Sequence, residues 1–103
     1  MEKGEIRWYK FPDPDKKRPV VILTRTAAIE YLSEITVAPI TSTVRHIPSE
    51  VLLTAEDGMP RNCAINLDHI QTVSKGKIGP LIATLGPRKL SNLKTALRFV
   101  FGL

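Results

Sequence analysis

The chain has 103 residues and a formal net charge of +5, from 15 lysines and arginines against 10 aspartates and glutamates; that length suits one domain, residues 1–103, and the 43% hydrophobic fraction argues against disorder. The lone cysteine, Cys63, excludes an intrachain disulfide, no Cys or His cluster has zinc-ligand spacing, no apolar run reaches membrane-span length, and MEKGEIRWYK is too polar for a signal peptide. A cytoplasmic protein is expected, with no membrane association, and the positive charge favours a polyanionic partner, nucleic acid above all.

Gly4–Lys10 alternates Ile6 and Trp8 against Glu5 and Arg7, the pattern of a half-buried strand. From Phe11 to Lys17, Pro12, Asp13, Pro14 and Asp15 predict a loop, because proline removes the amide a ladder needs. Pro19–Thr24 (PVVILT) is β-branched and apolar on both faces, which predicts a central strand. Ala27–Leu32 can form a turn or two of helix. Ile35–Ile40 is the next strand, with Pro39 predicting an edge or a bulge late in it.

Pro48–Leu53 reads as a fourth strand, and Glu56–Pro60 as a turn in which Gly58 supplies a positive φ. Cys63–Leu67 followed by Ile70–Val73 reads as a strand that bends, and Leu81–Thr84 as a short last one. Pro87 suits the first position of a helix, with Gly86 as its cap. Beyond it Leu90, Leu93, Leu97 and Val100 recur at helical spacing, with Arg88, Lys89, Ser91 and Lys94 facing outward. The chain is therefore expected to be mainly β with a C-terminal α-helix. Roughly five to seven short strands would form a small barrel or rolled sheet, with one or two short helices and the last helix over an opening.

Familiar catalytic sets are missing: there is no Gly-rich phosphate loop and no nucleophile elbow. Glu56 and Asp57, adjacent in a turn, solvate it. Cys63 alternates with Ile65 and Leu67 and reads as a small core residue. Two clusters are more informative. Lys16-Lys17-Arg18 stands where the loop enters PVVILT, and Thr41-Ser42-Thr43 stands where the next strand leaves the core, in VAPITSTVR. If those strands are antiparallel neighbours, Arg18 and Thr41 share one rim. A guanidinium beside hydroxyls suits a phosphate. Equally, the hydroxyls can satisfy turn amides while Arg18 caps a strand. The residues alone leave both readings open.

The segments RPVVIL at 18–23, VAPITSTVR at 37–45, PSEV at 48–51 and EDGMPRNCAINLDHIQTV at 56–73 together resemble the MazF/PemK (Kid-type) toxin family. GEIRWYKFPDP at the start and LGPRKLSNLKTALRFVFGL at the end fit as well, so the resemblance spans nearly the whole chain. It implies an SH3-like barrel of the CcdB/MazF type, working as a homodimer. It also implies the toxin half of a type II toxin–antitoxin system, inhibiting translation and growth. The activity would be sequence-specific cleavage of single-stranded RNA (messenger, transfer or ribosomal) with no metal or other cofactor, and the partner a cognate acidic antitoxin.

In the family's R-P-[VA]-[VL] motif the catalytic arginine corresponds to Arg18, and in [AP]-[IV]-T the catalytic threonine corresponds to Thr41. Cleavage is expected through the ribose 2′-hydroxyl, leaving a cyclic phosphate and a free 5′-hydroxyl. Arginine stabilises charge well but is a poor general base, so the base is unassigned. RNA contacts are expected from Lys16, Lys17, Ser42, Arg45, His69 and Gln71. His69 stands where relatives commonly carry a glutamine that contacts RNA, and it reads as a base contact ahead of a proton acceptor. Asp15, Lys16 and Lys17 replace the Gly and Ser that relatives often place ahead of the arginine. Lysine contacts to phosphate bind without reading sequence, so the target is expected to differ. Two rivals stand beside this reading. One is a gyrase-poisoning toxin of the same fold, acting by protein binding through a tail like Phe101-Gly102-Leu103. The other is a non-catalytic RNA-binding module.

Overall fold

A computed structural model describes residues 1–12 and 16–103. Asp13, Pro14 and Asp15, at the centre of the expected first loop, lie outside the described residues. Among the described residues there are seven strands: β1 (Glu5–Lys10), β2 (Lys17–Ile22), β3 (Glu34–Thr41), β4 (Glu50–Leu53), β5 (Cys63–Asn66), β6 (Gln71–Ser74) and β7 (Ile78–Thr84). A four-residue helix, α1 (Thr26–Ile29), links β2 to β3, and α2 (Pro87–Phe101) follows β7. The strands form one open antiparallel sheet in the order β4-β5-β3-β2-β1-β7, with β6 also paired to β3. The mainly-β architecture with a C-terminal helix is as expected.

PVVILT is central, as its two apolar faces require. Successive residues of β2 point to opposite sides, and each side meets its own core. Val21 packs with Ile6, Ala38, Ile40, Leu53 and Ile65, under Leu93 and Ala96 of α2. Val20 and Ile22 pack with Tyr9, Phe11, Ile35, Val37 and Val73, closed by Ile29 of α1. Tyr9 and Phe11 meet edge to face, 4.9 Å between ring centroids at 84°.

The predicted bend is a 3-10 turn, Leu67–His69, set between β5 and β6. Both strands pair with β3: Ile65 stands opposite Ile40, and Gln71 opposite Val37. Six positions on one strand thus span three on the other, so the turn bulges out of the sheet. Pro39 falls within that interruption, which is how β3 carries a proline while flanked on both sides. The bulge predicted at Pro39 lies on its partner strand.

Helix α2 begins with Pro87 after Gly86 and ends at Gly102, φ +68°, where Leu103 N–H donates to Arg98 O at 2.9 Å. Its inward stripe is Leu93 and Ala96, flanked by the partly buried Leu90, Leu97 and Val100. Lys89 departs from the outward position expected for it. Its ammonium donates to the Leu52 carbonyl at 2.6 Å and lies 3.7 Å from Asp57 Oδ2. Lys89 stands four residues before Leu93 and seven before Ala96, so helical spacing puts it on the inward face at the helix start, and its stem extends from there to β4 and the turn that follows.

Candidate active site

The first residues of β2, Lys17 and Arg18, are exposed, whereas Val20, Val21 and Ile22 are buried. β3 likewise runs from a buried middle to the partly open Thr41. The register sets Val20 opposite Pro39 and Val21 opposite Ala38. Continued two residues beyond Val20, it brings Arg18 opposite Thr41, and the alternation of side chains gives both the same face. The rim expected from the sequence is therefore present.

A cavity of about 490 Å³ opens there, with Lys16, Lys17 and Arg18 on one side and Thr41, Ser42 and Thr43 on the other. Trp8, Pro19, Ile40, Met59, Pro60 and Arg61 complete the wall, with Cys63 at its buried base. A smaller cavity of about 110 Å³ joins Arg18 to Phe11, Pro39, His69 and Gln71. Arg18 lines both. Neither wall includes a carboxylate among the described residues, while four cations face the larger space. Such a field attracts anions.

Local hydrogen bonds hold these groups. Thr41 Oγ1 accepts the Thr43 N–H at 3.1 Å, so the hydroxyl satisfies a turn amide and lines the cavity at once. The turn reading of VAPITSTVR therefore holds at Thr41, and the same hydroxyl also faces the cavity. His69 is placed by its turn: Asn66 Oδ1 accepts Asp68 N–H at 3.1 Å, and Ser49 Oγ donates to Asp68 Oδ2 at 2.6 Å. Ser49 is buried and its carbonyl also accepts the Leu67 N–H at 3.1 Å, so the turn is pinned to the loop before β4. His69 itself is exposed. On the opposite wall, Asp57 Oδ2 accepts Thr54 N–H at 2.9 Å, and Gly58 at φ +88° turns the chain so that Met59–Arg61 reach the cavity.

Of the residues singled out in the sequence, Lys16, Lys17, Arg18, Thr41 and Ser42 share the larger cavity, and His69 and Gln71 share the smaller one with Arg18. Arg45 lies outside both; its backbone N–H donates to Glu50 Oε1 at 2.9 Å. Burial pushes the Cys63 thiol up, and the Asp57 charge adds to it. Cys63 is thus held as the thiol, and it is buried in the core, as its strand pattern predicts. The sequence reading missed Trp8, Met59, Pro60 and Arg61 as site residues. Arg61, a cation beside a turn, carried some signal; Trp8 carried none, since an aromatic at alternating spacing reads as core.

Comparison with known proteins identifies the family and the fold. The family model described as "PemK-like, MazF-like toxin of type II toxin-antitoxin system" matches residues 2–101. Probable endoribonuclease MazF5 of Mycobacterium tuberculosis is 38% identical over 96 residues, 92% of this chain and 87% of that protein. Endoribonuclease MazF3 of the same species is 37% identical over 89 residues, 86% of each chain. The M. tuberculosis toxin MazF-mt6 superposes with a TM-score of 0.88 at 34% identity, covering 96% of this chain and 97% of its own. A mycobacterial endoribonuclease in complex with its cognate antitoxin shares the fold at a TM-score of 0.88 and 22% identity, over 100% of this chain and 96% of its own. The resemblance carried by RPVVIL and VAPITSTVR is borne out: the chain belongs to the PemK-like, MazF-like toxins of type II toxin–antitoxin systems.

Proposed function

We propose that this chain is the toxin of a type II toxin–antitoxin pair, a metal-independent endoribonuclease that cuts single-stranded RNA in the cytoplasm, inhibits growth, and works as a homodimer. The observation that carries the reading is the position of Arg18, opposite Thr41 by register and shared by two adjoining cavities. A phosphate at Arg18 has space on either side for the flanking nucleotides.

In the proposed reaction the ribose 2′-oxygen attacks the adjacent phosphorus. The 2′-O–P bond forms, the P–O5′ bond breaks, the 2′ proton is released, and the departing 5′-oxygen is protonated. Because the nucleophile belongs to the substrate, the protein supplies position and charge. The guanidinium of Arg18 meets the charge that develops on the phosphate oxygens. Thr41, with its oxygen already accepting the Thr43 amide, has its O–H left to donate to the same phosphate. Lys16, Lys17 and Ser42 hold the neighbouring backbone, and His69 and Gln71 contact the base on the other side of Arg18. Arg45, on the exposed surface beyond the cavities, extends the cationic track along the strand.

The cation-lined cavity also suits an acidic antitoxin, and the antitoxin-bound relative supports such a partner. The exposed Phe99, Phe101 and Leu103 at the end of α2 offer apolar surface for a second copy of the chain. The test is cleavage of single-stranded RNA by the purified protein without divalent ions, compared with Arg18→Ala. Expected products carry a cyclic phosphate and a 5′-hydroxyl, and a 2′-deoxy sugar before the cut blocks the reaction. Undiminished cutting by a folded Arg18→Ala protein overturns the site. RNA that is bound but never cut leaves a binding module instead.

A further inference from the structure

We infer that Trp8 is a stacking platform for one unpaired base of the substrate strand, in the larger cavity beside the phosphate at Arg18; this rests on the ribonuclease reading and adds a residue to it. Trp8 shares the face of β1 that buries Ile6 completely, yet it is only partly buried and lines the cavity. An indole facing a cavity carries a large flat surface for a ligand.

Its surroundings fix it in place. Trp8 stands opposite Pro19, one residue from Arg18. Behind it β7 passes so closely that a Cβ on Gly79 would lie 3.0 Å from the Trp8 carbonyl oxygen and 3.3 Å from its Cβ. Arg7 Nη1 donates to Gly79 O at 3.1 Å, tying the two strands at that point. The Lys17 ammonium lies 5.2 Å from the indole centroid, a cation–π contact that puts positive charge at the ring. Met59 and Pro60 add apolar wall, and Arg61 a donor-rich plane.

An aromatic face flanked by lysine and arginine is the combination that binds single-stranded nucleic acid, with bases on the ring and phosphates on the cations. An acidic peptide would use the cations and leave the indole idle, and an aliphatic ligand would use the indole and leave the cations idle. The volume of about 490 Å³ accommodates a base with its ribose. Since a paired base is not free to enter, the same feature makes the enzyme selective for unpaired RNA.

Trp8 is the only tryptophan in the chain, so its emission reports this cavity alone. The experiment titrates the whole protein with single-stranded 2′-O-methyl 12-mers of A, C, G and U, which cannot be cut, and with a polyglutamate peptide. Binding is followed in parallel by anisotropy of labelled oligonucleotide, and folding of each variant by circular dichroism. Quenching of Trp8 that saturates with binding is expected. Trp8→Ala should weaken oligonucleotide binding about 5- to 140-fold, with Trp8→Phe restoring most of it. In cleavage assays Trp8→Ala should raise KM more than it lowers kcat.

Oligonucleotide binding with unchanged Trp8 emission, or equal binding by folded Trp8→Ala, overturns the platform while leaving the ribonuclease reading intact. No binding of any of these oligonucleotides overturns the platform, and cleavage of a mixed-sequence RNA by the same preparation tests the ribonuclease reading separately. Quenching by polyglutamate alone assigns the cavity to a protein partner and overturns the proposal.

Discussion

Thr41 Oγ1 accepts the backbone N–H of Thr43 at 3.1 Å, at the end of a strand whose register faces Arg18. A threonine hydroxyl has one proton and two lone pairs; the turn uses a lone pair and leaves the proton for a ligand. Thr41→Val removes both functions at nearly constant volume. It should lower kcat/KM for RNA cleavage by about 10²-fold, the size expected for one donor at a developing charge. Thr41→Ser keeps the hydroxyl and should retain most activity. Single-turnover cleavage rates separate the two variants, and equal activity of Val and Ser would remove Thr41 from the reaction.

His69 shares the small cavity with Arg18 and Gln71, on a turn held by the 2.6 Å bond from Ser49 to Asp68. A base-contacting His69 predicts that His69→Gln changes which sequence is cut, while kcat at the best new site stays within about threefold. A proton-accepting His69 predicts instead a drop of about 10²-fold or more at every site. Sequencing of cleavage products from a mixed RNA pool, with rates at the preferred sites, decides between them. The first outcome is the expected one.

The Ser49–Asp68 bond supports the turn from inside the protein. Asp68 is exposed, so water replaces the lost donor and the cost is the net value of one hydrogen bond, about 0.5–1.5 kcal/mol. Ser49→Ala should therefore lower the melting temperature by several degrees, weaken RNA binding, and leave the products unchanged. A variant that melts as the wild type does would show that the Asn66 cap alone holds the turn.

Much of this was legible in the sequence, for physical reasons that differ by element. PVVILT announced a central strand because apolar residues on both faces have no other use, and both cores are found beside it. Leu93 and its neighbours announced α2 through period alone. The Arg18–Thr41 pairing needed one assumption, that β2 and β3 are antiparallel neighbours. Trp8 escaped because alternation reports which face a side chain takes, not whether that face is closed over it; Met59 escaped because turn residues carry no period. Lys89 escaped because a lysine was read as solvent-facing by residue type, although its place four residues before Leu93 and seven before Ala96 lies on the buried stripe. Its bond to the Leu52 carbonyl is a long-range polar contact that no period announces.

The turn after β4 depends on one glycine. Gly58 has φ +88°, and a Cβ there would lie 2.8 Å from the Ala83 Cβ. Gly58→Ala should cost about 1–2 kcal/mol for the left-handed backbone, and more for the clash. It should also weaken RNA binding, since the turn carries Met59–Arg61 into the cavity. Gly76 is the control: a Cβ there meets only Ser74 Oγ at 3.9 Å, and its φ is not positive. Gly76→Ala should leave stability unchanged or slightly raised. Urea unfolding of both variants checks the contrast.

Glu5 gives a pH dependence whose sign can be worked out. Burial pushes its carboxyl up, but the Arg7 guanidinium at 2.8 Å and the backbone at Glu2 outweigh that, and the result lies below the ordinary value of 4.5. A carboxyl with a lowered folded value stabilises the fold fully above the unfolded value, and that contribution is lost as pH falls through the folded one. Arg7 also donates to Gly79 O, so the pair helps to join β1 to β7. Glu5→Gln should therefore cost about 1 kcal/mol at neutral pH, or about 4–8 °C in Tm. The gap to the wild type should start to narrow below pH 4.5 and close only in stronger acid. Melting curves for both proteins across the acid limb test this. A gap of constant size down to the lowest pH would mean that Glu5 acts through packing and not through its charge.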